Sequence, residues 1–127
     1  MPIGRWLGNA GRWLLRWVKP LGKAAMVAIV QREGDTLQVR LKTAIALRGA
    51  EAIDKMIDEW QARLVSGINA IRLLPASIKG EAARVIQTHG DWLQDSLHKA
   101  VADGGPVAID KTFDISQDVL IQRIQAL

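Results

Sequence analysis

AAMVAIVQREGDTLQVRLKT, residues 24–43, decides what kind of fold this chain adopts. From Thr36 to Thr43, Leu37, Val39 and Leu41 alternate with Gln38, Arg40 and Lys42, the pattern of a strand with one buried and one wet face. AAMVAIV before it is short and rich in branched residues, and REGDT between the two supplies Gly34 and Asp35 for a turn. The stretch therefore predicts a β-hairpin over about 25–43. A continuous helix would scatter Leu37, Val39 and Leu41 around its circumference. Because two strands are marginal alone, the hairpin should pack on helices or extend a sheet with other copies.

Downstream the helical period takes over. Ile53, Met56, Ile57, Trp60, Leu64, Ile68 and Ile71 make one stripe between about Ala50 and Leu73. After Pro75, Ser77 reads as an N-cap, and Ile78, Ala82, Val85, Trp92 and Ala100 recur on one face, with Gly90 as a candidate break. DGGP, 103–106, reads as a stop. VAIDKTFDIS reads as extended, and Ser116 as the cap of a final helix carrying Leu120, Ile124 and Leu127. The expectation is an α+β fold, mainly α: an N-terminal amphipathic helix, a β-hairpin, two to three packed helices and a short C-terminal helix.

Upstream lies GRWLGNAGRWLLRW, 4–17, where GRWL occurs twice; no other internal repeat is read. On a helical wheel Trp13, Trp6, Trp17, Ala10, Ile3, Leu14, Leu7 and Val18 share one arc of about 140°, opposite Arg5, Arg12, Arg16, Lys19 and Asn9. Pro2 suits a first turn and Pro20 is expected to end the helix. Gly4, Gly8 and Gly11 oppose helicity by about 2 to 3 kcal/mol together, so an apolar surface must assist it. Two units follow: residues 1–22 as an anchor or assembly arm, and 23–127 as one small domain.

Charge separates the same parts. Residues 1–48 hold nine basic and two acidic side chains, and 49–127 hold eight basic and eleven acidic. That asymmetry points the first part toward an anionic partner. No apolar run reaches the length of a membrane span. The start resembles a presequence in being Arg-rich and acid-poor, yet it is Trp-rich, Ser-poor and without a small-residue cleavage site, so it is read as retained.

Catalytic chemistry is thinly represented. Cysteine is absent, and His89 and His98 are too far apart in sequence to share a helical metal face. His89 falls beside an apolar stripe and reads as a hydrogen-bonded core histidine, while Asp54 with Asp58 and Asp91 with Asp95 read as solvated pairs. GRWLGNAG lacks the Lys-Ser/Thr ending of a phosphate loop. No catalytic, cofactor or metal residue is assigned.

The reading is a non-enzymatic structural or interaction protein held peripherally on an anionic membrane. Trp6, Leu7, Trp13, Leu14 and Trp17 would insert, and Arg5, Arg12, Arg16 and Lys19 would meet acidic headgroups. The alternative is a subunit of a homo-oligomer or larger complex, membrane-bound or virion, whose N-terminal helix packs on neighbouring subunits. Nucleic-acid binding ranks third, because base stacking needs aromatics beside the charges and here they oppose them.

Overall fold

A computed structural model describes the backbone of all residues but Met1 and Leu73, and the side chains from Leu21 on apart from those of Leu73 and Pro106. The described residues form four helices: α1 (Pro2–Arg48), α2 (Glu51–Asn69), α3 (Ala76–Asp103) and α4 (Gly105–Gln125). Each packs on the next and α4 closes back on α1, whereas the diagonal pairs do not meet among the described residues. Lys23 lies beside Gln125 and Lys42 beside Asp110, so α1 and α4 run antiparallel. The result is an up-down-up-down four-helix bundle.

No strand occurs among the described residues, which overturns the α+β expectation and its β-hairpin. Residues 25–43 lie inside α1, and Pro20 does not end that helix. The alternation was produced by one residue: Val39 is 69% exposed, while Leu37 and Leu41 are buried. Met26, Val30, Leu37 and Leu41 form the true stripe, with Gly34 buried between Val30 and Leu37. Gly34 is no turn; it leaves room for the Gln117 side chain of α4, which occupies the space a Cβ would take.

Other expectations change for similar reasons. VAIDKTFDIS is helical, and Ser116 is buried in mid-α4 rather than capping it. Gly90 does not divide α3; it receives Gln61 of α2. Pro75, not Ser77, holds the N-cap position of α3, with no side-chain cap bond. Trp92 is 47% exposed, because the buried face runs through Ala82, Ile86, His89, Leu93, Leu97 and Ala100.

The core register exposes a repeat far larger than the GRWL pair. Residues 22–71 align without a gap on 78–127, with 19 of 50 positions identical. VQREGDTLQVRL matches IQTHGDWLQDSL, and GAEAIDKMIDEWQ matches GPVAIDKTFDISQ. The shift of 56 positions carries buried Met26, Val30, Leu37 and Leu41 onto Ala82, Ile86, Leu93 and Leu97. It likewise carries Ile53, Ile57, Leu64 and Ile68 onto Ile109, Phe113, Leu120 and Ile124. The body is therefore two copies of one helical hairpin, α1α2 and α3α4, related by a pseudo-two-fold axis. Its buried residues recur at an eleven-residue interval, as in Met26 to Leu37 and Phe113 to Ile124. That interval keeps a stripe on one side of a nearly straight helix.

The contacts between hairpins come in matching pairs. Gln38 Nε2 donates to Asp110 Oδ1 at 2.9 Å, and Gln94 Nε2 to Asp54 Oδ1 at 2.6 Å. Lys42 Nζ lies 2.6 Å from Asp110 Oδ2, and His98 Nε2 lies 2.7 Å from Asp54 Oδ1. Lys23 Nζ reaches the Gln125 carbonyl at 2.7 Å, and Lys79 Nζ the Asn69 carbonyl at 2.9 Å, each capping a helix C-terminus. The turns match too, with Gly49 at φ 74° and Gly105 at φ 71°.

Three glycines should respond differently to alanine. Gly49→Ala forces a side chain into left-handed backbone and should cost about 1 kcal/mol. Gly80→Ala, in α3 with open space around it, should gain up to about 1 kcal/mol. Gly90→Ala displaces Gln61 from its bond to the Gln87 carbonyl and should forfeit that gain. Denaturant unfolding of the three variants checks the order.

Candidate functional site

Two places merit attention: a polar layer inside the bundle, and the outer face of α1 leading toward the N-terminus.

The layer joins the two hairpins at their centre. Val30, Trp60, His89, Leu93, Phe113, Ser116, Gln117 and Leu120 enclose it, leaving no room for a water molecule. His89 is 1% exposed, and its Nε2 shares a 2.7 Å hydrogen bond with Ser116 Oγ. Burial pushes the imidazole down to about 4, with the Arg123 charge adding to the effect and the backbone of Ser116 opposing it. The Trp60 Nε1–H is buried with no acceptor. Under the repeat, Trp60 and Ser116 are equivalent positions, as are Glu33 and His89. A large side chain of one hairpin thus shares the layer with a small one of the other. With its two titratable or hydroxyl groups bonded to each other and no space for a substrate, this layer is built for packing.

The outer polar groups are seam contacts. Asp54 is held below the usual carboxylate range by the hydrogen bond from His98 and then by that from Gln94. Lys42, then Gln38, does the same for Asp110. Asp58, Asp91 and Asp95 are exposed. Among the described residues no three metal-ligating side chains cluster.

Trp6, Leu7, Trp13, Leu14, Trp17, Arg5, Arg12, Arg16 and Lys19 all precede Leu21, and their side chains lie outside the described residues. The face they lead into is described. Leu21 is 56% exposed, Ala24 and Ala28 are exposed, and an open groove of about 440 Å³ runs past Lys23, Ala24, Val27, Ala28, Gln31 and Gln125. Gly22, Met26 and Val30 are buried on the other side of the helix. Counted at about 100° per residue, Leu21, Ala24 and Ala28 share the arc of Trp6, Trp13 and Trp17. Gly22, Met26, Val30, Leu37 and Leu41 share the arc of Arg5, Arg12, Arg16 and Lys19. Among the described residues, one side of α1 is core from Gly22 on, and the opposite side, with Leu21, Ala24 and Ala28, is exposed.

Searches of protein-family models, of curated proteins and of solved structures found no match to this chain. Among the helices with described side chains, none is long and apolar enough to cross a membrane.

The buried imidazole sets an acid limit. Its folded value lies below its unfolded one, so the unfolded chain binds the extra proton first and stability falls as pH falls from about 6.5 toward 4. Wild type should lose about 3 kcal/mol more than His89→Gln across that window. Denaturant unfolding at pH 7 and pH 4 on both proteins measures it. Trp60→Phe, which removes the unpaired donor, should cost under about 1 kcal/mol, against about 3 to 5 for Trp60→Ala.

Proposed function

We propose that the bundle is a body carried by its N-terminal segment, and that residues 1–22 attach it peripherally to an anionic membrane surface. The phase of α1 carries this reading. An apolar arc set opposite the buried face is not a continuation of the core, so its burial requires something outside the bundle. Two further features support it. The repeat begins at Gly22, so the segment has no counterpart in the second hairpin and the two copies make a closed bundle without it. The segment also has no acidic residue, and indole rings opposite a Lys/Arg face suit a helix lying at the headgroup boundary.

Ala24 and Ala28, exposed one turn apart beside the groove, favour a second reading: a helix of a neighbouring subunit packs along the same side. Small residues at this spacing let two backbones approach closely.

Substitutions of charge and of tryptophan separate these readings. On anionic vesicles, Trp13→Ala with Trp17→Ala should abolish flotation at every salt concentration, because apolar burial is lost. Arg12→Glu with Arg16→Glu should abolish it chiefly at low salt, where exposed charges are least screened. Each basic residue near the surface is worth about 1 kcal/mol. If the partner is protein, the tryptophan pair should change the native mass with no lipid present. Steep salt-dependent retention on DNA or RNA would mark the nucleic-acid reading. Deletion of residues 1–21 should leave a cooperatively unfolding bundle that no longer floats. Flotation of wild type equal to that of the deletion would overturn the membrane reading.

A further inference from the structure

We infer that the body is a covalently joined dimer of one hairpin, and that each hairpin can take its partner from a second copy of the chain, giving a dimer with exchanged α3α4 halves. The contacts that join α1α2 to α3α4 are those a symmetric pair would make, repeated twice. Gln38 with Asp110 mirrors Gln94 with Asp54, Gly34 with Gln117 mirrors Gly90 with Gln61, and Lys23 with Gln125 mirrors Lys79 with Asn69. None of these contacts requires that the two hairpins share a chain. Only residues 70–75 connect them, against the two-residue link 49–50 inside α1α2 and Gly104 inside α3α4. Among the described residues, swinging that connector open keeps the interhelical pairs named above and gives up what the connector makes, chiefly Leu74 against Gly22.

The central layer states which hairpin is accepted. Pairing α1α2 with another α1α2 would bring two Trp60 side chains into one layer. Pairing α3α4 with another α3α4 would bring two His89 and two Ser116 into it and leave the volume of Trp60 unfilled. Both cost stability, by overpacking in the first case and by a cavity in the second. Pairing of α1α2 with α3α4 satisfies the layer, so the partner is the complementary hairpin of a second copy.

The chain has no cysteine, so exchange can be read by single labels. Gln38→Cys and Asp110→Cys chains are unfolded together, refolded at micromolar and at millimolar concentration, and joined with a short bis-maleimide. Exchange yields a species of twice the chain mass, cross-linked between residues 38 and 110 of different chains, after refolding at millimolar concentration. Mixing chains already folded should yield none. A chain carrying both cysteines reports the same link within one molecule and serves as the geometric control. Unlabelled wild type refolded at millimolar concentration should show the doubled native mass by light scattering with unchanged helical circular dichroism. The inference is overturned if wild type refolds only as a monomer at every concentration, or if the 38–110 link forms only within single chains. Gln38→Cys with Gln94→Cys, on helices that do not touch, should give no link in either case.

Discussion

Trp60 opposite Ser116 is the constraint on which the rest of the bundle depends. Along the rest of their length the hairpins share one core register, although 31 of the 50 aligned positions differ, Met26/Ala82 and Ile57/Phe113 among them. At this level a bulky indole from α2 and a hydroxyl from α4 line the same layer, and His89 takes the place that Glu33 holds in the first hairpin. The His89–Ser116 bond satisfies the polar groups introduced on the small side, and the indole fills the volume left there. Divergence at these positions helps turn a symmetric pair into an ordered one. Its cost is visible in the unpaired Trp60 Nε1–H.

Polar seams complete what the layer begins. Burying leucine and isoleucine fills the interior but tolerates a helix sliding by a turn. Gln38 and Lys42 converging on Asp110, and Gln94 and His98 converging on Asp54, do not tolerate it, because each carboxylate would lose both donors. Buried glycines set the spacing. At Gly34 and Gly90 a glutamine side chain from the adjacent helix lies where a Cβ would be, so the helices approach without a void. A helix-weakening residue is kept where the neighbouring helix needs the space.

This also explains what could and could not be read in the sequence. The stripe of α2, the stop at 103–106 and the position of His89 beside an apolar stripe follow from period and from turn chemistry, and they match the structure. The hairpin over 25–43 did not survive, because Val39 on the wet side imitates alternation over a window too short to separate periods of two and of 3.6. Gly34 then looked like a turn, since its role depends on Gln117, far away in sequence. VAIDKTFDIS misled for the same reason: its β-branched residues are α4 surface and core in turn. Yet AIDK at 52–55 and again at 108–111 was visible in the chain, as was GD followed by LQ at both 34 and 90. A self-comparison would have shown the second AIDK to be helical if the first was, and so corrected the tail without any structure. For the nine residues between Arg5 and Lys19 singled out as an anchor, the sequence pattern stands by itself, and the phase of the described part of α1 adds the direction in which that pattern is continued.

That continuity bears on the energetics of the segment. As a free peptide it would have to nucleate its own helix against three glycines, which is unfavourable by more than its length recovers. Joined to α1 it does not nucleate. Residues 22–48 are already ordered by packing on α2 and α4, so each further residue needs only propagation, at a cost of tenths of a kcal/mol for most side chains, about 1 for each glycine and about 3 for Pro20 in mid-helix. On the proposed reading, a surface that received the tryptophan arc would have to offset about 5 to 6 kcal/mol, glycines and Pro20 together, comparable to burying two or three large apolar side chains. Three indoles exceed that by a modest margin. A margin of this size suits attachment that is reversible and sensitive to the charge of the surface, rather than a permanent anchor.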